Sequence, residues 1–279
     1  MSAPVELEDG APRFEFGRNW HDFIQKKFGK DRVEASKQKI LDFLGRENLE
    51  GLDMIDIGCG SGLHSVAALE AGAKSVHGFD YDPNSVEATK FVQNQSGNPP
   101  NWTVEQGSVL DDVYMESLPQ YDLVYSWGVL HHTGDVWHAA RNAAERVKPG
   151  GLFFIALYSS DAPLLETPKF WLDVKRNYVS SGWLKRRCMD LWYIWRFQID
   201  RKISRIPKIL LYAWRYKQKR GMNFMTDIRD WLGGWPMEFV GDQETVDFVE
   251  KMGFKLENMV TGQAITEFLF VRNHAAKRS

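Results

Sequence analysis

Residues 52–83 constrain this chain more than any other stretch. An apolar run, Leu52-Asp53-Met54-Ile55-Asp56-Ile57, stops at three glycines spaced Gly58-x-Gly60-x-Gly62. An amphipathic segment follows, and a second apolar run, Val76-His77-Gly78-Phe79, ends in Asp80-Tyr81-Asp82-Pro83. The pattern reads as strand, tight turn, helix, strand. The glycines let the backbone approach a ligand and turn sharply into the helix, and a carboxylate closing the second strand suits a ribose diol. The pyrophosphate fingerprint Gly-x-Gly-x-x-Gly is absent, because Leu63 stands where its third glycine would be. Asp56 before the glycines and Asp80 after them make the motif specific.

On these residues the chain resembles class I S-adenosylmethionine-dependent methyltransferases. The likeness continues through Gly107-Ser108-Val109-Leu110-Asp111, through Tyr121-Asp122-Leu123-Val124-Tyr125-Ser126-Trp127-Gly128-Val129-Leu130-His131-His132, and through Lys148-Pro149-Gly150-Gly151. It covers roughly residues 50–160, with a weaker match to the end. The resemblance implies an α/β fold: a Rossmann-like, seven-stranded, mostly parallel sheet with an antiparallel edge hairpin. It implies S-adenosyl-L-methionine as cofactor, with S-adenosyl-L-homocysteine as product. Asp56, Gly58, Cys59, Gly60 and Gly62 would form the cofactor loop, and Asp80 and Tyr81 would hold the ribose. Ser108 and Val109 would border the adenine, and Ser126 and Trp127 would close the site. Many relatives carry Asp at the position of Ser108, and a hydroxyl there bonds the adenine amino group more weakly.

In chain order, residues 31–47 are expected to form a helix, followed by the strand and glycine loop. Helices are expected at Leu63–Glu70 and 84–95, and a short strand at Trp102–Gln106. Residues 121–125 read as the fourth strand, 127–133 as a loop, 136–147 as a helix, and 148–151 as a turn before a fifth strand at 152–158. Residues 242–252, 254–260 and 265–271 read as helix, strand, strand. Ahead of all this, Phe16, Asn19 and Trp20 sit in an aromatic cluster that is either a lid over the site or packing on the sheet edge. The expected domains are a leading segment at 1–47, a core at 48–160 and 239–274, and a helical insertion with an acceptor-side loop at 161–238.

The insertion differs in kind from the rest. Between Lys169 and Arg220 stand fifteen Lys and Arg against three Asp, a net +12 that leaves −14 elsewhere in a chain of formal net charge −2. Five tryptophans share that block. Leu184, Cys188, Leu191, Trp195, Ile199 and Ile206 follow a helical stripe with Arg and Lys on the other faces. A cap over the acceptor is the favoured reading. A homodimer interface, peripheral contact with an anionic membrane and a self-packed helical subdomain remain open. The segment from Asp230 through Trp231-Leu232-Gly233-Gly234-Trp235-Pro236 to Glu238 reads as a rigid loop returning to the site, with Trp235 and Glu238 lining the acceptor pocket beside Tyr158.

The loop beyond the fourth strand should supply catalytic side chains, since ligands sit outside the carboxyl ends of parallel strands. Methyl transfer chiefly demands alignment, and an oxygen acceptor also needs a base, for which His131 or His132 is suited. Adjacent side chains diverge, so one of the pair should face inward, and the sequence does not say which. The chemistry is expected to need no metal. Nucleic acid is not expected: Ser126-Trp127-Gly128-Val129 replaces the Asn-or-Asp-Pro-Pro-aromatic signature of base amine methylation. Neither Cys59 nor Cys188 stands where cytosine methylation needs its nucleophile. Two distant cysteines, and no apolar run of signal or membrane-spanning length, lead to an expectation of a soluble cytoplasmic protein. The function expected is O-methylation of a small or lipid-linked acceptor. An N-methyltransferase and a non-catalytic, membrane-associated cofactor-binding protein are the alternatives.

Overall fold

The computed structural model describes residues 29–199, 201–219 and 224–274. A helix, α1 (Lys30–Leu44), leads into an alternation of strands and helices: β1 (Asp53–Ile57), α2 (Leu63–Glu70), β2 (Ser75–Asp80), α3 (Pro83–Gln95), β3 (Trp102–Gln106), α4 (Asp112–Ser117), β4 (Tyr121–Trp127), α5 (Val136–Glu145) and β5 (Val147–Tyr158). The insertion contributes α6 (Pro168–Val179), α7 (Trp183–Tyr193), α8 (Ile206–Lys219) and α9 (Phe224–Gly233). The chain then closes with α10 (Asp242–Lys251), β6 (Phe254–Thr261) and β7 (Ile265–Arg272).

The seven strands lie in the order β3-β2-β1-β4-β5-β7-β6, parallel except for β7, which runs antiparallel to both of its neighbours. This is the mixed, mostly parallel Rossmann-like sheet that the sequence implies. The central strands bury both faces, which is why β1, β4 and the second half of β5 read as largely apolar runs. Successive residues alternate between two cores. Ile55, Val124, Phe153 and Phe270 face one cluster, and Met54, Leu123, Phe154 and Leu269 face the other. α1 closes the second cluster with Val33, Ile40, Leu41 and Leu44.

Strand order reverses between β1 and β4, and the glycine loop leaves β1 at that switch. Gly58 takes a left-handed φ of 73°, and a Cβ there would stand 2.4 Å from Val129 Cγ1 in the loop after β4. Gly62, also at φ 73°, would drive a Cβ to 2.9 Å from Thr89 Cγ2 on α3. These two positions tolerate glycine because the chain turns left-handed under neighbours that leave no room for a side chain.

Two expectations are corrected. Residues 230–233 are helical, the end of α9, because Ile228 and Leu232 pack on Tyr178 and Phe224 in a core internal to the insertion. The irregular loop starts only at Gly234. Residues 148–151 lie inside β5, where Tyr121 pairs with Val147 across a register shift, instead of forming a separate turn. The stripe of Leu184, Cys188, Leu191 and Trp195 faces outward: Leu184 is 70% exposed and Leu191 66%. Among the described residues no helix is long and apolar enough to cross a membrane.

Candidate active site

The carboxyl ends of β1, β2, β4 and β5 open into a cavity of about 1510 Å³, walled on its far side by the insertion. The glycine loop forms its floor. Gly58 and Cys59 both donate from backbone N to the Phe79 carbonyl, at 2.9 and 3.0 Å, which straps the loop to β2. Gly60 N donates to Asp80 Oδ2 at 2.9 Å, and Asp82 N donates to Asp80 Oδ1 at 2.9 Å. The Asp80 carboxylate is thereby aimed along the cavity wall with Tyr81 beside it. α2 starts without any side-chain cap, so its first-turn amides are open to an anionic group, and Leu63 and His64 of that turn border the cavity. Ser108 and Val109 close the same wall. Ser108 Oγ accepts from Leu110 N at 3.2 Å, and Val109 is 6% exposed.

Some residues proposed for the cofactor stand behind this surface. Asp56 is 2% exposed and accepts the Ser65 hydroxyl at 2.6 Å; burial, reinforced by the Asp80 charge, pushes its carboxyl up to about 7. Ser126 is fully buried and donates to the Ile57 carbonyl at 3.0 Å, locking β4 to β1. Gly62 shapes the loop from beneath. Cys59 does border the cavity, and burial holds its thiol well above its usual range. Trp127 also borders it, with its indole N–H donating to Glu267 on β7.

Around Trp127 lies a cluster that sequence reading missed. Lys39 on α1 sits 4.4 Å above the indole and pairs with Glu267 at 2.8 Å. His64, its Nδ1 2.8 Å from Ser36 Oγ, is pushed down to about 4 by burial and by the Lys39 charge. α1, α2, β4 and β7 meet here, so no local motif marks these residues.

The two histidines diverge as adjacent side chains must. His132 borders the cavity. Its Nδ1 lies 2.7 Å from the Pro236 carbonyl, which can only accept. In the neutral ring Nδ1 is therefore the protonated nitrogen. His131 is fully buried behind it, against Tyr158 at a ring separation of 4.5 Å. Tyr158 N donates to its Nδ1 at 3.4 Å, and burial beside His132 and Lys175 pushes its pKa far below the usual range. His131 is a neutral spacer and not a cavity group.

The loop after α9 makes this arrangement. Pro236 accepts from His132, Glu238 N donates to the His131 carbonyl at 2.8 Å, and Glu238 Oε2 accepts from Val136 N at 3.0 Å. Glu238 thus caps α5, and burial raises its carboxyl to about 7. Neither Glu238 nor Trp235 borders the cavity; Trp231, one helical turn earlier, does. Tyr158 borders it as expected, with its ring 5.7 Å from that of Trp231. Lys175 on α6 is another missed group. It is 1% exposed, donates to the Trp231 carbonyl, lies 4.1 Å from the Trp231 ring centroid, and is lowered by burial to about 7. Its signal, Trp171 and Lys175 one turn apart, is lost among surface lysines. Phe16, Asn19 and Trp20 lie outside the described residues.

A glycine turn, an uncapped helix start and a buttressed acid, all at the switch point of a mostly parallel sheet, define an α/β protein that binds a nucleoside-containing cofactor. A family model described as a methyltransferase domain matches residues 28–226, and the chain belongs to this family of S-adenosylmethionine-dependent methyltransferases. S-Adenosylmethionine is the cofactor, and the cavity presents groups of matching chemistry: a carboxylate at Asp80, open first-turn amides at α2, and a hydroxyl beside an apolar side chain at Ser108 and Val109.

The chain is 32% identical over 170 residues to a ubiquinone biosynthesis O-methyltransferase of Methylobacterium sp. (strain 4-46), covering 61% of this chain and 64% of the relative. It is 30% identical over 200 residues to the protein of that name from Methylobacterium nodulans, covering 68% and 76%. Among solved structures, an O-methyltransferase family protein from Burkholderia thailandensis has a TM-score of 0.54 at 14% identity, covering 88% of this chain and 56% of that one. Magnesium protoporphyrin IX methyltransferase from Synechocystis, with bound S-adenosylhomocysteine, has a TM-score of 0.52 at 15% identity, covering 92% and 94%. The structural likenesses establish the shared fold.

Proposed function

We propose that this enzyme methylates an oxygen of a small or lipid-linked acceptor, with His132 as general base. The observation that carries the reading is His132 at the cavity border with its Nδ1 2.7 Å from the Pro236 carbonyl, an arrangement that supports Nε2 as the basic nitrogen. S-Adenosylmethionine supplies a methyl group on a sulfonium, and its transfer to oxygen leaves a neutral thioether. His132 takes the proton of the acceptor hydroxyl as the oxygen becomes nucleophilic. Tyr158, Trp171 and Trp231 offer flat apolar walls on which an aromatic acceptor packs in line with the cofactor. On this reading the insertion, residues 161–238, is the acceptor-side cap. The relatives named for an O-methylation in ubiquinone biosynthesis support oxygen as the acceptor atom. The free cysteines, Cys59 and Cys188, fit work in a reducing compartment such as the cytoplasm.

The test is methyl transfer from a labelled donor to catechols with and without a prenyl tail, by wild type and by His132→Asn. The asparagine amide, at the position of Nδ1, can still donate to Pro236 but has no basic nitrogen. Turnover should fall by roughly 10²–10⁴-fold while S-adenosylhomocysteine affinity holds. A fall of less than about threefold would remove the base from His132, and selective turnover of amines instead would favour nitrogen methylation.

A further inference from the structure

The insertion presents to solvent an apolar face that the cap role does not use. α7 is anchored from one side. Asp190, 1% exposed, accepts the Tyr178 hydroxyl at 2.9 Å and pairs with Arg187 at 2.9 Å and Arg229 at 3.2 Å. Arg186 donates to the Tyr178 and Val179 carbonyls at 3.0 and 2.5 Å. At 3.6 residues per turn the opposite face carries Leu184, Cys188, Leu191 and, in the π-helical turn that continues α7, Trp195. Leu191 is 66% exposed, Leu184 70%, and Trp183 beside them 73%. Large apolar side chains grouped this way on a surface mark an interaction site.

The chemistry around the stripe identifies what covers it. Lys185 and Arg187 flank it, within a block of net charge +12. A second copy of the chain would bring the same cations onto the same face, so self-association meets like-charge repulsion. Leucine and tryptophan centred on one helical face, with Lys and Arg at its edges, match the interface of an anionic bilayer, where aromatic rings sit at headgroup depth and cationic stems reach the phosphates. We propose that the outward face of α7 docks this enzyme on an anionic lipid bilayer. The continuation of the same helix points its other side into the cavity through Tyr193 and Phe197, and the 78%-exposed Leu165 stands on the cavity wall. A lipid-linked acceptor would have a short path from bilayer to cavity. The proposal deepens the lipid-linked reading of the acceptor but does not depend on it, since vesicle binding and methyl transfer are read separately.

The experiment uses the full chain and phosphatidylcholine vesicles with or without phosphatidylglycerol. Cys188, on the stripe, accepts an environment-sensitive maleimide, whereas Cys59 is buried. Wild type should sediment with the anionic vesicles, shift the Cys188 probe to shorter wavelength, and do neither with phosphatidylcholine alone. Leu184→Glu/Leu191→Glu should lower vesicle affinity by roughly tenfold or more while S-adenosylhomocysteine affinity, which reports the folded core, stays as in wild type. Sedimentation of wild type no better with phosphatidylglycerol than without it overturns the proposal, as does a double variant that binds vesicles like wild type. A dimer seen by light scattering and dissolved by the double variant would assign the face to a second copy and overturn it equally.

Discussion

Gly58→Ala tests how the cofactor loop is held. The new Cβ would lie 2.4 and 2.6 Å from the two methyl groups of Val129, at a φ of 73°. The left-handed backbone costs an L-residue about 1–2 kcal/mol, and forcing an extra carbon into an occupied site costs about 1–3 kcal/mol. The loss of stability should therefore be about 2–5 kcal/mol, a midpoint shift of order 3–9 °C in a chain of this size. Because Gly58 N and Cys59 N share the Phe79 carbonyl, the displaced loop should also bind S-adenosylhomocysteine more weakly. Val129→Ala alone removes the offending methyls and should cost only about 1 kcal/mol, since Val129 is partly exposed. In Gly58→Ala/Val129→Ala the clash is largely relieved and the strain remains, as Val129 Cβ would still lie 3.0 Å from the new carbon. The double variant should recover about 1–2 kcal/mol relative to the sum of the singles. Urea unfolding gives the three free energies, and calorimetry gives the affinities. Additivity within about 0.5 kcal/mol would refute the idea that Val129 is what demands glycine, and unchanged affinity would refute the coupling of loop to cofactor.

Asp80→Ala should weaken S-adenosylhomocysteine binding by roughly 10²-fold, the loss of two charge-assisted hydrogen bonds to the ribose; calorimetry that returns the wild-type constant would move ribose recognition elsewhere. Lys39→Met should weaken S-adenosylhomocysteine binding by about fivefold, or 1 kcal/mol, yet leave 5′-methylthioadenosine, which lacks the amino-acid end, unaffected. Equal losses for both would mean that the Lys39–Glu267 pair near Trp127 serves the fold and not the ligand. Asp56, raised from 3.8 to about 7 by burial, keeps its proton in the folded chain between about pH 4 and 7, where the unfolded chain has released it. Stability therefore falls as pH rises through that window, by at most roughly 4 kcal/mol. Asp56→Asn still accepts from Ser65 and should flatten that slope in thermal melts, with its gain seen at pH 8 and absent at pH 4. A gain equal at both pH values would show that charge burial is not the cause.

What could be read from the sequence was local. The strand–glycine–helix–acid unit is contiguous, its periods are those of a pleated strand and an α-helix, and Leu63–Glu70 and Trp102–Gln106 have the boundaries expected of them. The misreadings arise where distant packing overrides a local signal. Gly233-Gly234 followed by Trp235-Pro236 is turn chemistry, yet α9 runs through Gly233 because Ile228 and Leu232 have a core to enter. The stripe on α7 is periodic and the sequence left open what covers it; the helix is anchored from its other side by Asp190, whose partners Tyr178 and Arg229 lie 12 and 39 residues away. Periodicity identifies an apolar face; it does not say what covers it.

The histidine pair shows the same limit at the chemical centre. Two adjacent, identical side chains differ in nothing local, and the sequence could narrow the candidates to His131 and His132 but not choose between them. The distinction comes from 104 residues downstream, where the Pro236 carbonyl engages His132, while Tyr158 N–H on β5 engages His131. One ring borders the cavity with its Nδ1 held by that carbonyl, and the other is buried neutral behind it. On that assignment the loop after α9 is a positioning element for the proposed base. Changes at residues 234–238 should then slow turnover while leaving cofactor affinity intact, although neither Trp235 nor Glu238 borders the cavity.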